Sequence, residues 1–248
     1  MKTRKTPSKF LLHLIIGSAL VFILGSASPC RAEVRIAIID SGARGYVDAA
    51  FSFTSYTGDE DPLNHGTEIA RLIRQKNPSA TIYMLQVCEK VDGSFKPSRD
   101  AILRAIQWVI ANNIDVVNMS LVTKYSSNID EAVTDAAVNH GIVFVAAAGN
   151  RGLNNHFAVD SDGFVRRSKG KSAPAFPSSN PYVISVGGLD SSGQIAHYSD
   201  KSADLYADGK ILGQEGSSFA SARIAGQIAG ILQGQPRLPK DVLLSYLR

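Results

Sequence analysis

A carboxylate, an imidazole, an amide and a hydroxyl stand in four short stretches of the 248-residue chain: Asp40 in "IIDSG", His65 in "NHGT", Asn150 in "AAAGN" and Ser218 in "GSSFASARIAG". Together they could make a nucleophilic site. A serine hydroxyl at its own pKa attacks a carbonyl poorly and needs an imidazole to take its proton. The imidazole in turn needs a carboxylate that fixes its tautomer and stabilises its charged form. The anion created on the attacked carbonyl needs donors, which the Asn150 amide and the N–H groups at a helix start can supply.

Such groups need a frame. "VRIAIID" (34–40) is an unbroken apolar, β-branched run and reads as a buried strand. Apolar spacing predicts helices over 65–77, over 98–113 with Ser98 as N-cap, and over 128–141, stopped by Gly141. Strands are expected at 81–87, 115–120, 142–148 and 182–188, and Ser218 opens a last helix of small residues. Strands alternating with helices argue an α/β fold: a doubly wound, mostly parallel sheet with helices on both faces, in a single domain over 33–248. In such a sheet the working groups gather beyond the carboxyl ends of the strands, where Asp40 and Asn150 fall. The stretch 149–181 reads as irregular and is too long to be a mere connection.

Each residue also has a plainer reading. Asp40 could cap a turn with Ser41-Gly42. His65 could be a helix-start residue without chemistry, Asn150 a turn residue after Gly149, and Ser217 the nucleophile in place of Ser218. Of the other histidines, His13 lies in the apolar N-terminal run and His140 suits a helix C-terminus. His156 and His197 lie in polar surroundings. Cys88 ends an apolar run and reads as a small packed residue. The "RRSKGK" run (166–171) reads as a solvated loop. The acidic "GDED" (58–61) lacks the alternating spacing of a calcium loop, so no metal is expected there, and no cofactor elsewhere. "DSGARG" after the first strand lacks the form of a phosphate-cradling loop, which excludes a nucleotide carrier.

"IAIIDSG", "NHGTEIA", "VVNMSL", "VFVAAAGN" and "GSSFASARIAG" resemble, in this order, the Asp, His, strand, oxyanion and Ser blocks of the subtilisin-like serine proteases. The resemblance spans about 34–234. It implies an endopeptidase that hydrolyses peptide bonds through Asp40, His65 and Ser218 and an acyl-enzyme intermediate, with Asn150 completing the oxyanion hole. The implied partner is a protein or peptide substrate bound by Ser120, Leu121, Val122, Ala147, Ala148 and Gly149. The family's serine helix lies in the middle of the molecule, which accounts for the small residues of 216–226. Gly216 would let backbone and substrate approach closely. There are departures. Val122 and Ala222 stand where glycine and proline are usual, and the helix from His65 runs almost straight into the strand at Thr81, without the long calcium-binding loop of many relatives. Only Glu33 separates the N-terminal segment from the first strand, where relatives carry a folding pro-segment. A catalytically silent binding module of the same fold is the alternative.

Residues 1–32 differ in kind from the rest. A basic start, an apolar run and "PCRA" make a signal-peptide layout with cleavage after Ala32, which implies a secreted or periplasmic protein. The rival is an uncleaved anchor, the one way in which a membrane would be a partner. All 22 acidic residues lie after position 32 and five of the 26 basic residues before it, which leaves 21 basic against 22 acidic in 33–248. The net charge of +4 thus belongs to the N-terminal segment and gives no reason to expect nucleic acid. Cys88 is the single cysteine after residue 32, so 33–248 holds no internal disulfide and must rest on its core.

Overall fold

This computed structural model describes residues 33–152, 157–159, 165–167 and 174–248. The N-terminal 1–32 segment, His156 and most of the 166–171 basic run lie outside the described residues.

In chain order the elements are β1 (Arg35–Asp40), β2 (Ala49–Ser52), α1 (His65–Lys76), β3 (Thr81–Gln86), β4 (Cys88–Val91), β5 (Ser94–Pro97), α2 (Arg99–Ala111), β6 (Val116–Met119), α3 (Ser127–His140), β7 (Val143–Ala147), β8 (Phe157–Val159), β9 (Val165–Arg167), β10 (Val183–Leu189), β11 (Leu205–Asp208), β12 (Lys210–Ile211), β13 (Gln214–Glu215), α4 (Ser217–Leu232) and α5 (Lys240–Leu247). Seven strands form one sheet in the order β11-β10-β7-β6-β1-β3-β2, and every pairing in it is parallel. The doubly wound sheet expected from the sequence is therefore present.

Buried aliphatics sit on both faces of the sheet, as a parallel sheet requires. In β1 the alternation is complete: Ile36 and Ile38 face a core layer shared with Ile69, Ile73, Ile224 and Ile228, while Ala37 and Ile39 face a layer shared with Ile102, Ile106 and Val133. Helices α1, α4 and α5 thus cover one face, and α2 and α3 the other. Each such aliphatic, taken fully out of water, contributes about 1.5–3 kcal/mol before conformational entropy is charged against it.

Helix α4 explains its composition. Eleven of its sixteen residues are buried, because it packs against α1 while lying over β6, β7, β10 and β11. A helix buried nearly all round has no use for Lys or Glu. Its closest approach to α1 is at Gly226, where a side-chain carbon would lie 2.6 Å from Lys76 Cβ and 3.3 Å from the Ile73 carbonyl oxygen. Only glycine fits that crossing.

The structure corrects two local readings. Ser98 occupies the N-cap position of α2, but its side chain makes no capping hydrogen bond. The stretch 149–181 is not wholly irregular, since β8 and β9 pair antiparallel within it. β4 and β5 form a further antiparallel hairpin directly after β3. Gly141 does end α3, with φ of 64°.

Candidate active site

The chain order places the reversal of the sheet at β1. From there the chain passes to β2 at one edge and back to β3 beside β1, then crosses to β6 on the other side and winds outward through β7, β10 and β11. Connections thus leave in opposite directions on either side of β1, the arrangement in which a crevice forms beyond a strand's carboxyl end. Asp40 ends β1, Ser120 follows β6 and Asn150 follows β7 at that same edge.

Asp40 is buried, and its Oδ1 lies 2.8 Å from His65 Nδ1. The same oxygen accepts the Ser41 backbone N–H at 2.7 Å. Its Oδ2 is buried with no partner among the described residues. This pairing puts the proton of a neutral His65 on Nδ1 and leaves Nε2 free as a base. Burial opposes a charge on the imidazole, but the carboxylates of Asp40 and Asp61 outweigh it and raise the His65 pKa above its ordinary value.

His65 is the first residue of α1, and Asn64, at the N-cap position, makes no side-chain capping bond. The cap comes from farther away. Ser41 Oγ accepts the Gly66 N–H at 3.1 Å, and Asp61 Oδ2 accepts the Thr67 N–H at 2.8 Å. Gly66 allows the approach: a side-chain carbon there would lie 2.1 Å from the Gly42 carbonyl oxygen.

Ser218 is the second residue of α4, and the neighbouring Phe219 ring packs on the His65 ring with centroids 6.0 Å apart. The Ser218 hydroxyl donates to the Ser120 carbonyl oxygen at 3.1 Å, not to His65. Among the described residues, the Ser218 N–H at the helix start is bound to no acceptor, so it projects positive partial charge.

Asn150 is oriented by a residue that the sequence weighs only as a rival nucleophile. Asn150 Oδ1 accepts the Ser217 N–H at 2.7 Å and the Ser217 hydroxyl at 2.8 Å. Ser217 Oγ in turn accepts the Gly149 N–H at 3.1 Å. With its oxygen held twice, the amide turns Nδ2 outward, unpartnered among the described residues. Gly216 makes room for it, since a side-chain carbon there would sit 3.1 Å from Asn150 Nδ2. The close approach expected at Gly216 is made here by the Asn150 amide. Ser217 itself is fully buried, and the doublet "SS" alone did not reveal its task.

The residues expected to line a substrate are less alike than the sequence suggests. Ser120 is buried, and its Oγ takes a hydrogen bond from Asn118 Nδ2 at 2.9 Å, donates to the Ser218 carbonyl oxygen at 2.9 Å and lies 3.0 Å from Ser221 Oγ. That side chain fastens β6 to α4. Leu121 is half-buried, and Val122 is 40% exposed. Ala147, Ala148 and Gly149 are buried, and the Ala148 backbone bonds to Val186 and Ala175.

Cys88 is buried, and burial pushes its thiol pKa up, with Asp40 and Asp61 adding to the effect. His140 ends α3, 3.8 Å from Asp135 Oδ2, and His197 is exposed beside Tyr198. Neither approaches the crevice residues. Among the described residues, no group of three or more His, Cys, Asp or Glu side chains is placed to hold a metal ion.

Comparison with known proteins bears on the whole of this arrangement. A profile of the subtilase family matches residues 31–247. Subtilisin amylosacchariticus from Bacillus subtilis subsp. amylosacchariticus is 31% identical over 234 residues, covering 82% of this chain and 56% of its own length. The subtilisin of Bacillus pumilus is 30% identical over 234 residues, covering 82% of this chain and 78% of itself. The chain thus spans little more than half the length of the first of these relatives. A crystal structure of a lanthipeptide protease superposes with a TM-score of 0.68 at 20% identity, over 86% of this chain and 78% of that one, which is a likeness of fold. The profile alone covers far more than half of the chain, and with the parallel sheet and the ordered crevice residues the conclusion is direct: this chain belongs to the subtilase family.

Proposed function

We propose that the protein is a serine endopeptidase, exported and acting on protein or peptide substrates. The observation that carries this reading is the buried Asp40 carboxylate holding His65 Nδ1 at 2.8 Å, with the Ser218 helix packed on the same imidazole. Rotation about the Cα–Cβ bond moves the Ser218 hydroxyl from the Ser120 carbonyl toward His65 Nε2. His65 takes the proton as Ser218 Oγ bonds to the substrate carbonyl carbon. The resulting oxyanion is met by the Ser218 N–H and by Asn150 Nδ2. His65 then gives the proton to the departing amine, the peptide bond breaks, and an acyl-enzyme remains. Water, activated by the same imidazole, releases the acid and restores Ser218.

The substrate backbone would lie along residues 120–122. Leu121 and Val122 make no backbone hydrogen bond among the described residues, whereas Thr123 donates to the Phe176 carbonyl oxygen at 3.1 Å. That leaves a short free edge for strand addition. Export rests on the signal-peptide layout of 1–32. Among the described residues, no helix is long and apolar enough to cross a membrane.

A second reading is a silent binding module of the same fold. The Ser218 hydroxyl favours it by donating to Ser120 and not to His65. Fluorophosphonate labelling of the purified protein separates the two. The peptidase reading requires labelling that is lost in Ser218→Ala and His65→Ala, with peptide hydrolysis lost alongside. An unlabelled, folded parent protein would leave the binding module standing.

A further inference from the structure

The reaction outlined above leaves unused a buried carboxylate that contacts the first turn of the His65 helix. In the acidic run 58–61, Asp59 and Glu60 are exposed, but Asp61 is 1% exposed. Its run lacks the alternating spacing of a calcium loop. Instead both of its oxygens are committed inward. Oδ1 accepts the Ser41 hydroxyl at 2.7 Å. Oδ2 accepts the Thr67 N–H at 2.8 Å and the Thr67 hydroxyl at 2.6 Å. Ser41 directly follows Asp40, and Thr67 lies two residues beyond His65. Asp61 therefore ties together the two segments that carry the paired carboxylate and imidazole.

We propose that Asp61 is a positioning residue for His65: its buried carboxylate caps the helix that carries the imidazole, fixes that helix to the end of β1, and supplies a second negative charge favouring the imidazolium formed during acyl transfer. This rests on the peptidase reading for its purpose, though not for its physics. His65 sits at the N-terminus of α1, where the helix dipole is positive and opposes an imidazolium. A carboxylate on the free N–H groups of that same turn offsets this field. It does so without touching substrate, and without competing with Asp40 for Nδ1.

The other groups facing His65 leave this role to Asp61. Strand β1 contributes Asp40, already paired with it. Helix α4 presents Ser218 and Phe219, which carry no charge. Cys88, beyond β3, is held as the neutral thiol by burial. Glu68, the next acid along α1, is bound to Arg71 at 2.8 Å. The raised His65 pKa agrees: burial works against charge, and Asp40 and then Asp61 work for it.

An ordinary helix cap would also destabilise the protein when removed, so stability cannot decide the matter. The deciding measurement is the titration of the His65 ring by NMR in the full-length protein carrying Ser218→Ala, in which turnover plays no part. Asp61→Asn keeps the size and an acceptor but removes the charge; Asp61→Glu restores the charge. The expected result is a His65 midpoint at lower pH in Asp61→Asn and a return toward the parent in Asp61→Glu. With Ser218 restored, kcat in Asp61→Asn should fall about tenfold, less than the about 10²–10⁴-fold that a whole general base contributes, with KM nearly unchanged. Coincident titrations of parent and Asp61→Asn, with a lowered Tm, would reduce Asp61 to a cap and overturn the proposal. If Asp61→Asn fails to melt cooperatively, Asp61→Glu carries the test, and a midpoint that drops despite the retained charge overturns it. If the protein hydrolyses no peptide at all, the NMR result still stands, so the two readings fail separately.

Discussion

The distances around Asn150 and His65 turn residue types into expectations. Asn150 is held by its oxygen, which accepts the Ser217 N–H and hydroxyl, so replacing it removes an outward donor and also takes an acceptor from the start of α4. Asn150→Ala should therefore lower kcat by about 10²–10³ with KM little changed, the cost known for this donor in subtilisin and not a figure obtained from this structure. Steady-state kinetics on one peptide checks it, and a comparable rise in KM would place Asn150 in substrate binding. His65 gives a pH expectation. A base must be neutral to accept a proton, and its pKa is raised above 6.5, with burial opposed by Asp40 and Asp61. The acid limb of kcat/KM should then have its midpoint above 6.5. Linkage runs the other way: a raised folded pKa stabilises the fold fully below 6.5, and that gain fades as pH rises through the folded value. Melting at a series of pH values in the Ser218→Ala protein should show this opposite trend.

Helix α4 contains two glycines whose replacement should have opposite signs. At Gly226 a methyl group would meet Lys76 Cβ at 2.6 Å, so Gly226→Ala should cost about 1–3 kcal/mol through overpacking of the α1–α4 crossing. At exposed Gly230 nothing lies within 4 Å, so Gly230→Ala should gain about 0.5–1 kcal/mol from helix propensity. Denaturant unfolding of both variants tests the pair, and equal shifts would show that α4 packs differently. At this scale most of the sheet was readable in the sequence. β1, β3, β6, β7 and β10 are continuous apolar runs, and their observed ends fall within a residue or so of the expected ones. β2, β11 and the hairpins escaped because they are two to four residues long and carry mixed patterns such as "SFKP". Helix α5 escaped because eight residues with two buried leucines show too little periodicity. The site divides similarly. Asp40, His65, Asn150 and Ser218 stand out by type and neighbourhood, whereas the tasks of Ser217 and Ser41 depend on contacts 20 or more residues apart, and that of Asp61 on Ser41 as well as on Thr67 six residues on.

At the scale of the whole molecule, Arg237 closes the chain on itself. Its Nε donates to Asp115 Oδ1 at 3.1 Å, Nη2 to the Ile114 carbonyl oxygen at 2.9 Å, and Nη1 to the His140 carbonyl oxygen. Asp115, 7% exposed, also accepts the Arg35 N–H at 2.9 Å through Oδ2. One guanidinium thus links the segment after α4 to the entry of β1, the entry of β6 and the end of α3. Arg237→Ala should cost about 1–3 kcal/mol, because it leaves a largely buried carboxylate and helix-end carbonyls short of donors. Urea unfolding measures the loss. An unchanged midpoint would mean that Lys and Arg side chains nearby take over the carbonyls.

The burial of α4 has a further consequence, one of time. A ribosome delivers Asp40, His65 and Asn150 long before Ser218, yet the face of the sheet that α1 shares with α4 stays open to water until residue 232 has emerged. The α1–α4 contacts that help to close it join residues about 150 apart, such as Ile73 and Gly226, the kind that form slowly. On the proposed reading, a nascent chain therefore carries its base and its carboxylate without a nucleophile from residue 65 until residue 218 is added. The hydroxyl proposed as nucleophile takes its place only as the core itself is sealed.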